Sequence, residues 1–215
     1  MATEASGTSA APLANPVAII SPQYCYPYPV DLAIVRKVWT LADGNFDVQD
    51  INGNIIFKVK EILLTFLHKK KLILDPAGNT IVTLRRKAMT AHSRWQVFRG
   101  ESTDPKDVIF TAKTHSIFYL KTKLDVFLAN NNTDEKVCDF KVKGSFFERS
   151  CVVYAGDEDS TTIVAQMHKK HSAQSILLGK TNFTVTVYPN IDYAFIVALI
   201  VILDDINREA QDAAS

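Results

Sequence analysis

Cysteine is scarce in this chain. The three present, Cys25, Cys138 and Cys151, are too few and too scattered for a disulfide framework, so a reducing compartment such as the cytoplasm is the simpler expectation. An excess of either charge is missing as well. With 24 Lys and Arg against 23 Asp and Glu the net charge is +1, which excludes a globally basic nucleic-acid binder and leaves only a local patch to consider. No basic segment followed by an apolar core opens the chain, so no signal peptide is expected, and neither a myristoylation start nor a prenylation box occurs. The glycosylation triplets at Asn131 and Asn182 are discounted for the same reason. Absent too are G-x-S-x-G, a Walker loop, H-E-x-x-H and C-x-x-C. No catalytic residue, cofactor or metal site is therefore assigned, and the chain reads as a non-enzyme.

One long apolar run is present, YAFIVALIVIL at residues 193–203. Its flanks look like helix ends. Pro189-Asn190 offers a stop and a cap, Asp192 suits the positive end of a helix dipole, and Asn207-Arg208 marks the last turn. As a helix the run is about 17 Å long, short of the roughly 20 residues that cross a bilayer, so no transmembrane segment is expected. A helix apolar on every side must be enclosed on every side. The residues that would enclose it, upstream, are strand-like.

Residues 1–16 hold little to bury and are expected to be a disordered tail, followed by a single domain over 17–215. Pro22, Pro27 and Pro29 then lay Tyr24, Tyr26 and Tyr28 along an extended strap across the barrel surface. Beyond it strands alternate with turns. Asn52-Gly53 predicts a two-residue hairpin turn that pairs Val48 with Phe57 and Phe46 with Val59 on the apolar side, and Asp47 with Lys58 on the other. A second hairpin turns at residues 75–78, with two or four residues in its loop. Roughly twelve short strands before a single helix at about 190–207 indicate a mainly β fold, an antiparallel barrel wide enough to hold the hydrophobic C-terminal helix along its axis.

Several segments carry a family resemblance. Phe46-Asp-Val-Gln-Asp50 with Gly53-Asn54 and Phe57, Trp95-Gln-Val-Phe-Arg-Gly100, Gly144-Ser-Phe-Phe-Glu-Arg-Ser150 and Val153-Tyr-Ala-Gly156 precede the closing strand and apolar helix. In that order, from about residue 17 to 207, the chain resembles the plant LURP-one-related family. The resemblance implies a fold similar to the tubby C-terminal domain and the phospholipid scramblases, a closed twelve-stranded barrel around a hydrophobic helix. It also implies a link to plant defence, though the family lacks an established molecular activity. Tubby domains bind phosphatidylinositol bisphosphate through basic residues on the barrel. Scramblases are similar in a different respect, a proposed calcium-binding acidic segment ahead of the helix. Here residues 179–184 read GKTNFT, without a carboxylate, so that site is expected to be absent.

The strongest polar concentration is basic. Between Arg36 and Gly100 twelve Lys and Arg stand against five Asp and Glu. The triplets Lys69-Lys70-Lys71 and Arg85-Arg86-Lys87 flank the second hairpin, and antiparallel pairing brings both to one end of the barrel. They are the candidate site for an anionic phospholipid headgroup, set against a plainer reading as a solvated barrel end edged by lysine. His168-Lys-Lys-His171 lacks a third metal ligand, and Asp157-Glu-Asp159 reads as a turn. The expected partner is an anionic phospholipid; the alternative is a protein partner, with the chain as a protein-interaction or transcription-linked scaffold without lipid binding, and lipid scrambling is the weakest option. Nucleic acid is disfavoured, since recognition-helix features are lacking. A monomer in the cytoplasm is expected, with the plasma-membrane surface and the nucleus left open.

Overall fold

Asp50-Ile-Asn-Gly-Asn54 and Asp75-Pro-Ala-Gly-Asn79 build the same hairpin loop twice. In each, the Asp carboxylate accepts from the backbone and side-chain N–H of the Asn four residues on, every bond 2.8 Å. These bonds, led by the Asn side chain, hold both carboxyls below the usual carboxylate range. Gly53 and Gly78 stand at φ +83° and +98°, the left-handed region that favours glycine. The first loop is therefore a three-residue connection with a bulge, where the sequence predicted a two-residue turn. Gly53 N–H donates to Asp50 O and the register shifts beside Gln49, leaving Ile51 81% exposed at the tip. Beyond the bulge the expected register holds, with Val48 opposite Phe57, Asp47 opposite Lys58 and Phe46 opposite Val59.

The computed structural model describes residues 13–36, 45–65, 68–87, 93–118, 121–157, 159–168 and 183–212. Twelve strands follow one another as β1 (Val30–Arg36), β2 (Phe46–Gln49), β3 (Ile55–Thr65), β4 (His68–Leu74), β5 (Thr80–Lys87), β6 (Arg94–Arg99), β7 (Val108–Phe118), β8 (Lys121–Leu128), β9 (Phe140–Gly144), β10 (Val152–Ala155), β11 (Ile163–His168) and β12 (Phe183–Val187). Each pairs antiparallel with its sequence neighbour, and β12 returns to β1, which closes the barrel. Helix α1 (Tyr193–Asp212) runs inside it. Every residue from Tyr193 to Asp204 is buried, and Phe195 lies 5.1 Å from the Phe110 ring and 4.9 Å from that of Phe140. The helix begins three residues later and ends five residues beyond the expected 190–207, so its last turns carry Arg208 and Glu209 to the barrel mouth.

Successive connections alternate between two ends. The front end holds the start of α1, and the back end holds its last turns with the C-terminal residues of β1, β3 and β5. Asp192, rather than Asn190, caps α1: its Oδ1 accepts from the N–H of Ala194 and Phe195 at 2.9 and 3.1 Å. Its Oδ2 accepts from Ile19, Ile20 and Ser21 N–H at 3.2, 2.6 and 3.0 Å, so one carboxylate ties the strap to the helix. The strap is not extended throughout. Pro22–Tyr24 forms one 3₁₀ turn, with Pro22 at the position where a missing N–H costs nothing. Residues 1–12 of the expected tail lie outside the described residues. Leu13 O accepts from Asn190 Nδ2 at 2.7 Å. Cys25, Cys138 and Cys151 are all free thiols.

Candidate functional site

Strand alternation divides the two basic triplets. Successive side chains point to opposite faces, so neighbouring residues of a Lys-Lys-Lys run cannot all face water. Lys70 and Arg85 are direct cross-strand partners on the outer wall. Lys71 pairs with Leu84 on the inner face, next to core residue Ile73 in β4. Arg86 pairs with Trp95, which is also inside. Residue 69 pairs with Leu63, and its side chain lies outside the described residues.

The inward-facing cations meet carboxylates of α1 at the back end. Lys71 Nζ lies 3.1 Å from Asp205 Oδ1 and 3.8 Å from Asp204 Oδ2. Arg36 ion-pairs Asp204, and Arg86 ion-pairs Glu209 while stacking over Trp95 at 5.8 Å. Arg208 reaches Glu61 at 2.7 Å and Asp205 at 3.3 Å, and Trp95 Nε1 donates to Asp205 Oδ2 at 3.0 Å. Burial pushes Lys71 below the usual lysine range, and Asp205 pulls it part of the way back. Burial works against charge on Asp205 too, but Lys71 and the Trp95 hydrogen bond outweigh it and hold the carboxyl below its ordinary range. Arg208 is likewise opposed by burial and held above its ordinary range by Glu61. This network is a clasp that fastens the polar end of an apolar helix to the barrel wall. The sequence held one signal for it: Asp204-Asp205 directly follows the buried run, where a carboxylate needs a cation.

The outer wall carries what remains. Lys87, Arg94, Lys113, Asp125 and Lys141 form one cross-strand row over β5 to β9. Lys141 lies 3.4 Å from Asp125, and Arg94 is paired to Glu135 through both guanidinium nitrogens. Among the described residues no carboxylate pairs with Lys70, Arg85, Lys87 or Lys113. Lys70 sits directly across from Arg85, and Lys87 follows on the same face about 7 Å further along β5. Of the six expected residues, three thus share an outer face, two belong to the clasp and the side chain of Lys69 lies outside the described residues; Lys113, from β7, adds a further cation to the outer face.

Other candidates dispose of themselves. Asp157 closes a turn, accepting from Ser160 N–H with its carbonyl. His171 and most of the 179–184 segment lie outside the described residues. Among the described residues no three His, Cys, Asp or Glu side chains are grouped to hold a metal ion, and no helix is long and apolar enough to cross a membrane.

The comparisons agree with this architecture. The family model described as LURP-one-related matches residues 30–204, which takes in the barrel and the buried part of α1. The chain belongs to the LURP-one-related family. It is similar to the Arabidopsis thaliana protein LURP-one-related 15, with 59% identity over 98% of this chain and 95% of that protein. Its identity to the Arabidopsis protein LURP1 is 51%, over 90% and 92%. An X-ray structure of an Arabidopsis protein matches with a TM-score of 0.69 at 53% identity, covering 88% of this chain and 98% of the other. As a LURP-one-related protein it is a closed twelve-stranded antiparallel barrel around one C-terminal helix.

Proposed function

We propose that this LURP-one-related chain is a non-catalytic binding module that docks on anionic phospholipid at a cytoplasmic membrane surface, with phosphoinositide headgroups as the ligand class. One observation carries the reading: Lys70, Arg85 and Lys87 share the outer wall and no carboxylate pairs with them among the described residues, while Lys113 adds a fourth cation across from Asp125. A closed barrel has no strand edges to guard, so lysine as an edge protector does not account for them. Each cation brought to an anionic leaflet contributes about 1 kcal/mol, and the contribution decays within a Debye length. The test is co-sedimentation with neutral and phosphatidylinositol-bisphosphate vesicles, using wild type and a Lys70→Glu, Arg85→Glu, Lys87→Glu variant whose fold is checked by circular dichroism. Selective binding lost in the variant upholds the reading. Equal binding by both proteins, or none by either, refutes it. Lys71→Glu is kept out of the variant because it would set a third carboxylate against Asp204 and Asp205.

A protein partner is the second reading, supported at the opposite end. Tyr26 and Tyr28 stack at 5.1 Å and are 38% and 57% exposed. Such a partner would be lost with Tyr26→Ala, Tyr28→Ala and kept in the outer-wall variant. Scrambling draws least support, since the apolar part of α1 is enclosed by the barrel.

A further inference from the structure

Arg149 differs from every other cation described so far. It sits in the turn between β9 and β10 at φ +56°, a left-handed conformation that costs a non-glycine residue about 1 kcal/mol or more. The turn is closed tightly: at Gly144, φ +134°, a Cβ would stand 2.5 Å from Ser150 O. This geometry lays the guanidinium 4.6 Å from the Phe146 ring centre and 4.2 Å from that of Phe183, two rings that are themselves buried. Nη1 donates to Phe146 O at 3.2 Å. No carboxylate pairs with Arg149 among the described residues, and exposed Glu148 beside it makes no ion pair with it. A guanidinium offers five N–H donors, so most of this one's are unused.

Arg149 has no counter-charge of its own among the described residues. Burial lowers its pKa to about 10, and the Arg36 guanidinium pushes in the same direction. Cys151 acts the opposite way, but burial pushes that thiol up to about 12, so it stays neutral and supplies no counter-charge. Covering Phe146 and Phe183 needs no charge, since an apolar side chain would do it without desolvating a cation. A half-buried guanidinium with a strained backbone, bracketed by two rings and with donors that no described carboxylate takes, is arranged for an anion that is not part of the chain.

We infer that Arg149 is a receptor for one phosphate group at the back end of the barrel, its fork of N–H donors engaging two phosphate oxygens. Planar bidentate recognition of this kind is what distinguishes arginine from lysine. Phe147, in the same turn, is 60% exposed and offers an apolar contact for a lipid bearing that phosphate. The site is separate from the outer wall, and neither depends on the other.

The probe is inorganic phosphate, titrated at low salt into the full chain while the Arg Nε–Hε resonances are followed by NMR. A saturable one-to-one shift of the Arg149 resonance is expected in wild type and in a Lys70→Gln, Arg85→Gln, Lys87→Gln variant. In Arg149→Lys, which keeps the charge and loses the fork, phosphate should bind about tenfold more weakly. No saturable shift in wild type, or unchanged affinity in Arg149→Lys, overturns the inference, and the wild-type titration stands even if the variant fails to fold. Phosphatidic-acid vesicles added to the wall-neutralised variant then name the source. Binding weakened by Phe147→Ala with phosphate affinity kept identifies a lipid phosphate, and phosphate binding without vesicle binding identifies a free one.

Discussion

A single carboxylate, Asp192, holds the front end together. Its two oxygens divide the work, one capping α1 and the other accepting three strap N–H groups. Asp192→Asn keeps an acceptor for the helix but turns an amide N–H₂ toward the strap donors. The expected loss is about 3 kcal/mol in urea unfolding, with faster amide exchange at Ile19, Ile20 and Ser21. Unchanged protection there would show the strap to be held by other means. Lys70 and Lys71 make the complementary point, since adjacent lysines of one triplet have opposite roles. Lys71→Met breaks a buried pair and should cost about 3 kcal/mol, whereas Lys70→Gln should stay within about 0.5 kcal/mol. Equal costs would mean that the facing of β4 has been misassigned.

Asp205 also sets an acid limit on stability. Its folded-state pKa is depressed, so the stability it contributes is complete above its ordinary value of about 4 and is lost as pH falls through the folded value. Melting temperature should therefore drop between about pH 5 and the more acid range. The drop should be smaller in Asp205→Asn, which has no such proton to take up. Parallel pH profiles for the two proteins would remove Asp205 from the acid transition.

At the scale of elements, α1 is the piece around which the others close. Its twelve buried positions from Tyr193 to Asp204 leave no solvent-facing side for a charge. Ile200, 2% exposed, is at the middle, and Ile200→Asp is expected to abolish folding, because an unpaired carboxylate there has neither water nor cation. Soluble variant protein that unfolds cooperatively would contradict the central-helix arrangement. The two hairpins show what a strand-level reading catches and what it misses. The pairing of Phe46 with Val59 was legible because period-two alternation fixes which side is buried. The bulge opposite Val48 and Gln49 was not, because Asn-Gly suits both a two-residue turn and a three-residue loop, and the choice falls to the Asp50–Asn54 clamp.

For the whole molecule, closure explains why the architecture was legible and the site only partly so. An all-apolar helix preceded by many short strands leaves few solutions, and the barrel around Tyr193 to Leu203 is the one realised. Clusters of charge carry no such constraint. Lys71 and Arg86 looked like members of a surface patch because linear spacing does not reveal which carboxylates, here Asp205 and Glu209, arrive from the far end of the chain. Arg149 was invisible for a related reason: its left-handed backbone and two-ring bracket arise only when β9, β10 and β12 assemble.

The proposal that the outer wall reads anionic lipid rests on charge, and charge has a salt signature. The most direct measurement is affinity for phosphatidylinositol-bisphosphate vesicles over a salt series, for wild type and for Lys70→Gln, Arg85→Gln and Lys87→Gln singly and together. Each neutralisation is predicted to weaken binding by about 1 kcal/mol and to flatten the salt dependence stepwise. Affinity and salt slope indifferent to all three substitutions would contradict it, and the outer wall would then be a solvated face.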